Sequence, residues 1–418
     1  MTSVTVAVQR RTVAVLVAGQ ALAGVGVAAG LAVGALLAEE VSGSAALSGL
    51  AQTATVLGAA MLAVPLARLS ATRGRRVGLA TGYGLGALGS VTAVAAGVLD
   101  AFWLLLAGMA MFGGATASGL QARYAAADLA APERRGRDLS IVVWATTVGA
   151  VIGPNLADPA SDTAGAVGLP PLTGAYLWSI GAFMLAAVVV TGLLRPDPLL
   201  TLHRLGGAGS GGGRSRSLVE SLAVVRQSPR AVFALTVMAG AHAVMVSVMV
   251  MTPLHMSHGG AELPVIGLVI SGHVAGMYAL SPVFGWLSDR LGRVPVTWLG
   301  AGLLLSALSL AGTAPAHQSD LLGVALFTLG LGWSASLVAG STLLTESVPA
   351  AERPGVQGAA DLVMGLCGAA GGAVAGLIVG LAGYGALNAA AATLMVPLVF
   401  VVWWRAQRAS PATRPPRS

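Results

Sequence analysis

The sequence predicts an all-α membrane protein with twelve transmembrane helices arranged as two six-helix bundles. Three observations predict it. The chain is 56% hydrophobic and only 9% charged, with a mean hydropathy of +0.82, far outside the range of an ordinary soluble domain. Its apolar residues gather in twelve runs of about 20, each long enough to cross about 30 Å of hydrocarbon as a helix. One long polar break divides those runs six and six.

The first six runs lie near Thr12 to Leu37, Ala45 to Ala67, Val77 to Leu99, Ala101 to Tyr124, Leu139 to Ala157 and Thr173 to Leu194. The second six lie near Ala231 to Thr252, Pro264 to Leu287, Val294 to Thr313, Asp320 to Leu344, Val356 to Leu381 and Gly385 to Trp404. Residues 1–195 therefore form an N-terminal bundle, 196–230 a linker and 231–418 a C-terminal bundle. The linker contains Gly206, Gly207, Gly209, Gly211, Gly212 and Gly213 among several arginines, which predicts a flexible connection.

Orientation follows from arginine, because lysine is absent and all 23 basic charges are Arg. With the N-terminus inside, every Arg falls in or beside a cytoplasmic segment, while the outer loops hold Glu39, Glu40, Asp162 and Glu262. The expected location is a bacterial plasma membrane with both termini cytoplasmic. The basic balance then serves topology and contact with anionic lipid, and no nucleic-acid partner is expected. The first run follows Arg10 and Arg11 and leads straight into further spans, unlike a cleavable signal. Cys367 is the one cysteine, so no disulfide framework is possible.

The residues that stand out chemically lie between Met238 and Met277. Five of the thirteen methionines (Met238, Met245, Met249, Met251, Met256) and three of the six histidines (His242, His255, His258) fall within twenty-one residues. At about 100° per residue, Met238, His242, Met245 and Met249 share one stripe of span seven. His273 and Met277 share a face of span eight. Thioethers and imidazoles with almost no carboxylate or thiolate form a soft, uncharged donor set that favours Cu(I). Spans seven and eight run antiparallel, so depth counting places these donors as a ladder toward the bilayer centre, with His255, Met256 and His258 as its entrance in the outer loop. The same residues are open to two other readings: contact with an organic substrate, or packing, since methionine is a common gap-filler.

The string Gly285-Trp286-Leu287-Ser288-Asp289-Arg290-Leu291-Gly292-Arg293 resembles the G-x-L-x-D-R-x-G-R signature of the major facilitator superfamily. Gly74, Arg75 and Arg76 resemble the tail of a first copy after span two, with Ala71 where its Asp would stand. The resemblance covers essentially the whole chain and implies two bundles rocking about a central site. It implies gate roles for Asp289, Arg290 and Arg293, with Asp289 docking on the positive N-terminal end of span five. Gly149, Gly153 and Pro154 resemble part of the G-x-x-x-G-P element of proton-coupled exporters.

A narrower resemblance joins Met245, Met249, His273 and Met277. The pairs M-x-x-x-M in span seven and H-x-x-x-M in span eight are similar to those of CcoA-type copper importers, which implies Cu(I) uptake with these four as ligands. Met238, His242 and the outer donors are additions from geometry. His273 must be unprotonated to ligate, which suggests a proton link. Copper would be cargo, with no resident cofactor, and a cytoplasmic copper acceptor is a candidate partner. A monomer is expected.

Asp361 is the acid placed well within a span, open to proton coupling or to a gate contact with an arginine such as Arg290. Arg123 is expected to snorkel to the interface. Gln20, Gln52, Gln121 and Asn155 are candidates to line a cavity. Small-residue stripes in span five (Ala145, Gly149, Gly153, Ala157) and span eight (Gly267, Ser271, Ala275, Ala279) are expected to face one another across the halves, and span eleven carries Gly368, Gly372, Gly376 and Gly380. No phosphate loop, nucleophile triad or closed zinc cluster appears, so no enzyme activity is expected. The reading is a copper carrier working by alternating access; its rival is a proton-coupled transporter of a small organic molecule.

Overall fold

Two glycines at matching places break the chain in the same way. Gly74 has φ 93° and ψ 163°, and Gly292 has φ 96° and ψ 162°. A side chain strongly disfavours that backbone region, so glycine at both positions lets one helix stop and the next start at once. The repeat seen in the sequence is thus a repeat of backbone geometry. A computed structural model describes residues 3–44, 47, 49–152, 156–205 and 217–409.

The first half contains α1 (Ser3–Ser42), α2 (Gly49–Arg73), α3 (Arg75–Leu99) and α4 (Phe102–Ala127). Its fifth crossing is in pieces, α5 (Arg135–Trp144), α6 (Thr146–Ile152) and α7 (Ala157–Ala166), before α8 (Gly174–Leu193) completes the bundle. Gly153, Pro154 and Asn155 lie outside the described residues, as do 206–216 of the linker. The linker flanks, expected to be flexible, are helical: α9 (Pro198–Leu205) and α10 (Leu218–Gln227). Ser217 and Glu220 form a reciprocal capping box that starts α10.

The second half opens with α11 (Pro229–His258), started by the Ser228 side chain and Pro229. The eighth crossing is α12 (Leu263–Tyr278) and α13 (Ser281–Leu291), interrupted just before Pro282. Then follow α14 (Arg293–Thr313), α15 (Ser319–Glu346) and α16 (Arg353–Ala409), the last broken at Gly383, φ 84°, into an eleventh and a twelfth crossing. Among the described residues, 10 helical stretches are long and apolar enough to cross a membrane. The difference from twelve has two causes: the fifth crossing is fragmented, and helical structure runs on through Gly383.

Each half has its own core. One joins residues from Val15 to Leu194, the other residues from Val225 to Leu387. In the first, the rings of Phe183 and Tyr176 meet Phe112 edge-on at 5.2 and 6.0 Å, beside Gly26 and Gly30 of α1. A small third cluster crosses between halves, with Leu139 and Val143 against Phe284, Val338 and Ala339. It lies at the end of the bundle where Arg76, Arg134, Arg137 and Arg293 gather, called here the basic end. Large apolar side chains such as Leu381, Trp103 and Leu268 face outward, 89%, 79% and 73% exposed, as lipid contact requires.

The small-residue stripes pack differently from expectation. Gly149 abuts the backbone of Gly24 in α1, within its own half, and Gly267 has open space around it. Spans five and eight do face one another across the halves, but nearer the basic end than those stripes, where Gly285 of α13 meets Gly136 and Ser140 of α5. A second seam joins α2 and α16, where Gly358 meets Ala67 and Gly365 meets Ala60. Gly368 and Gly372 face α11, while Gly376 and Gly380 have nothing close by.

Candidate functional site

An arginine in the hydrocarbon region must find a counter-charge or a route to water. Arg123 finds a counter-charge. α4 runs to Ala127, so Arg123 lies a turn inside its end and does not snorkel; its side chain and that of Asp361 are each only 1% exposed. Arg123 Nη2 donates to Asp361 Oδ1 at 2.7 Å, which ties the first half to the second. Nε donates to Ser341 at 3.1 Å, Nη2 also reaches Tyr124 Oη at 3.0 Å, and the guanidinium carbon lies 4.4 Å from the Tyr124 ring centre. The partner of Asp361 is therefore Arg123. Arg290, the alternative considered from sequence, is exposed and lies over the Trp286 ring at 5.1 Å.

One turn nearer the basic end lies a second buried layer. Arg75 grips Asp128 through two bonds, 2.8 and 3.2 Å, and donates to Gln357 of the other half at 2.5 Å. Gln357 in turn donates to Thr345 at 3.2 Å. Beyond it, Glu346 accepts from Arg293 at 2.9 Å and from Arg135 at 3.0 Å, again joining the halves.

Asp289 sits on the start of α5. Its carboxylate accepts from the backbone N–H groups of Gly136 at 2.9 Å and Arg137 at 2.8 Å, donors that a first helical turn leaves unsatisfied. Arg293 holds the same carboxylate at 2.7 Å and donates to the Pro132 carbonyl at 2.7 Å. The break before Pro282 frees Ser281 to donate to the Ser140 carbonyl at 3.1 Å. In the first half, where Ala71 stands, Asp197 accepts from the Arg76 N–H at 2.8 Å and so covers the start of α3 within its own half, a contact different from the tie Asp289 makes across the halves. Sequence reasoning missed Asp197 because it lies 121 residues from Arg76.

The soft donors are distributed over several surfaces. Met238 packs beneath Gly340, with the Ser341 hydroxyl 3.9 Å from its sulfur. His242 accepts from the Trp333 indole at 3.1 Å and lies against Gly368. Met245 is buried in the core of its half, and Met249 packs against that core. The His273 Nδ1 faces the Leu326 carbonyl at 2.7 Å and so carries the ring proton, leaving Nε2 buried and unpartnered. Met277 is buried on the same face, its backbone against Gly330. Both histidines thus engage α15, at Trp333 and Leu326, two turns or about 10 Å apart along that helix. The expected ladder between spans seven and eight is corrected: α12 packs chiefly on α15.

The expected outer-loop entrance is also corrected. α11 continues through Pro253 to His258, so all three donors are helical. His255 stacks on Tyr384 at 4.2 Å, Met256 is fully buried in the core, and His258 is exposed. His255 and His258 share a face at i, i+3, but Met256 leaves the helix on another face and is taken up by the core, so the three do not converge. Among the described residues, no group of three His, Cys, Asp or Glu side chains is placed to hold a metal.

Polar side chains of the first half complete the picture. Gln20 of α1 donates to Thr146 of α6 at 2.9 Å, Gln121 donates to the Ala63 carbonyl at 2.9 Å, and Gln52 is exposed. Arg123 is close enough to His242 and Tyr278 to act on both electrostatically, and Tyr278 meets Trp333 edge-on at 5.7 Å. The arginine is thus the point where α4, α11, α12, α15 and α16 converge. The clue in the sequence was an opposite pair, Arg123 and Asp361, at similar depth from the basic end in opposite halves.

The profile of the Major Facilitator Superfamily matches residues 14–264 and 247–418. The uncharacterized MFS-type transporter YdeG of Bacillus subtilis is 40% identical over 395 residues, covering 94% of this chain and 92% of that protein. The riboflavin transporter RfnT of Brucella anthropi is 31% identical over 369 residues, 87% of each. The crystal structure of the human organic anion transporter MFSD10 has a TM-score of 0.75 at 18% identity, covering 94% of this chain and 99% of that one, a likeness of fold. None of these likenesses supports the narrower resemblance to CcoA-type importers. By sequence match over nearly its whole length, the chain belongs to the Major Facilitator Superfamily and is a multi-pass secondary transporter.

Proposed function

We propose that this transporter carries a small organic molecule across a bacterial plasma membrane in exchange with or together with protons, its basic end in the cytoplasm. The observation that carries the reading is the buried Arg123–Asp361 pair, a titratable carboxylate that links the two halves inside the helical bundle. Similarity to a riboflavin transporter over 87% of the chain supports an organic cargo. The ties between halves named above gather at the basic end, so the arrangement is one that opens to the outside. Proton binding to Asp361 would weaken its hold on Arg123 and loosen the layer beneath the site.

The test uses purified chain in vesicles with an imposed pH gradient and a labelled panel that includes riboflavin. Accumulation of a panel member in the wild type is expected to fall at least tenfold in Asp361→Asn, with tracer exchange retained. Uptake that ignores the pH gradient would overturn the proton link.

Copper remains a second reading on one observation, the buried and unpartnered Nε2 of His273 one turn from Met277. Labelled copper in the same vesicles decides it: uptake lost in Met245→Ala with Met277→Ala would favour copper, and no uptake would remove it.

A further inference from the structure

Arg123 and Asp361 meet through a single N–O contact, and that leaves two atoms over. Nη1 of Arg123 and Oδ2 of Asp361 are both buried and both without a partner. The neighbouring pair behaves differently: both oxygens of Asp128 are engaged by Arg75, so although Arg75 also leaves Nη1 unpaired, no vacant acceptor accompanies it. Asp128 reads as a structural partner held within one half. Asp361 reads as a partner that can be exchanged, because it holds Arg123 by one oxygen only.

We propose that Arg123 anchors an anionic group of the transported molecule, a carboxylate, and that the anion and a proton are bound together, the anion on Arg123 and the proton on Asp361. This rests on the proton-coupled reading given above. The charge balance favours it. The empty site holds one positive and one negative group, with Tyr124, Ser341, Tyr278 and His242 around them and Arg75 a layer below. A carboxylate alone would add an unbalanced negative charge to a buried site, and a proton alone would leave Arg123 without a counter-ion. Both together leave the sum unchanged, so the loaded and empty sites cross the same low-dielectric path at similar cost. A guanidinium also offers a planar pair of donors that matches a carboxylate, and the free Nη1 beside the exchangeable Nη2 bond supplies that pair once Asp361 is protonated.

The experiment measures binding to the full chain in detergent by thermal shift. Three skeletons, propionate, benzoate and nicotinate, are each tried as carboxylate, carboxamide and amine at up to 10 mM, between pH 5 and 8. The expected result is binding by carboxylates alone, tightening up to about tenfold per unit of acidification where Asp361 titrates. In Asp361→Asn the pH dependence is expected to vanish with binding retained. Arg123→Lys keeps part of the binding, and the folded double variant Arg123→Gln, Asp361→Asn, which buries no lone charge, loses it. Binding by amides or amines in place of carboxylates overturns the anchor, and if that binding tightens with acid the proton-coupled reading survives. Carboxylate binding without any pH dependence overturns the joint proton and leaves the anchor alone standing. A double variant that binds carboxylates as the wild type does, or no carboxylate binding at 10 mM, overturns the proposal.

Discussion

Gln357 and Asp361 stand four residues apart on one face of α16, and an arginine of the other half reaches each of them, Arg75 at 2.5 Å and Arg123 at 2.7 Å. One layer is a hydrogen bond to a neutral amide and the other an ion pair. Only the second changes with protonation, so the two layers divide the work of holding the halves and releasing them.

Removing one member of the ion pair leaves a buried charge alone, which costs about 3–5 kcal/mol. Asp361→Leu and Arg123→Leu are each expected to lower the melting temperature of the detergent-solubilised chain sharply. The double variant should recover most of the loss, because the apolar pair buries no charge. Additive losses in a double-mutant cycle would show that the two residues do not depend on each other.

Asp289→Ala removes the acceptor for two N–H groups at the start of α5. The expected loss in the closed arrangement is about 2 kcal/mol, roughly thirtyfold in population. Ser140 lies buried beneath Gly285 and reports on it. A cysteine at Ser140 should react slowly with maleimide in the wild-type background and many times faster with Asp289→Ala; equal rates would remove Asp289 from the gate.

Asp197→Ala tests the acid that covers the start of α3. It also accepts from the N–H groups of Leu199 and Leu200, at 3.1 and 3.2 Å, so one carboxylate caps two helix starts. The expected cost is about 1–2 kcal/mol, read by thermal unfolding. A change below a few tenths would mean that solvent serves those groups equally well.

Gly149→Val should destabilise the chain by about 3 kcal/mol or more, because a side chain there meets the Gly24 backbone. Gly267→Val, at a position with nothing within 4 Å, is expected to stay within about 0.5 kcal/mol. The opposite ranking would restore the Gly149 and Gly267 stripes as facing surfaces.

Much of the fold was legible because hydrophobic length and glycine are local signals. Twelve apolar runs, the six-plus-six division and the twin breaks at Gly74 and Gly292 follow from what each segment does alone in a bilayer. Asp289 was legible for the same reason, since a signature placed it at a loop and helix polarity supplied its partner. Ends were less so: α11 runs through Pro253 because a proline needs only a local adjustment when neighbouring helices support it.

The sequence by itself determined that this chain is a bundle of membrane-spanning helices with a repeated half, and which residues are chemically unusual in it. Tertiary structure alone decided which of those residues meet. Methionines and histidines on one helical stripe looked like a shared site, yet α15 takes up both His242 and His273 at different heights, and Met256 turns into the core. Arg123 looked like an interface anchor, yet Asp361, 238 residues away, meets it in the bundle. The physical reason is that periodicity fixes the face a side chain leaves from, whereas helix packing fixes what stands opposite, and that depends on residues far away in the chain.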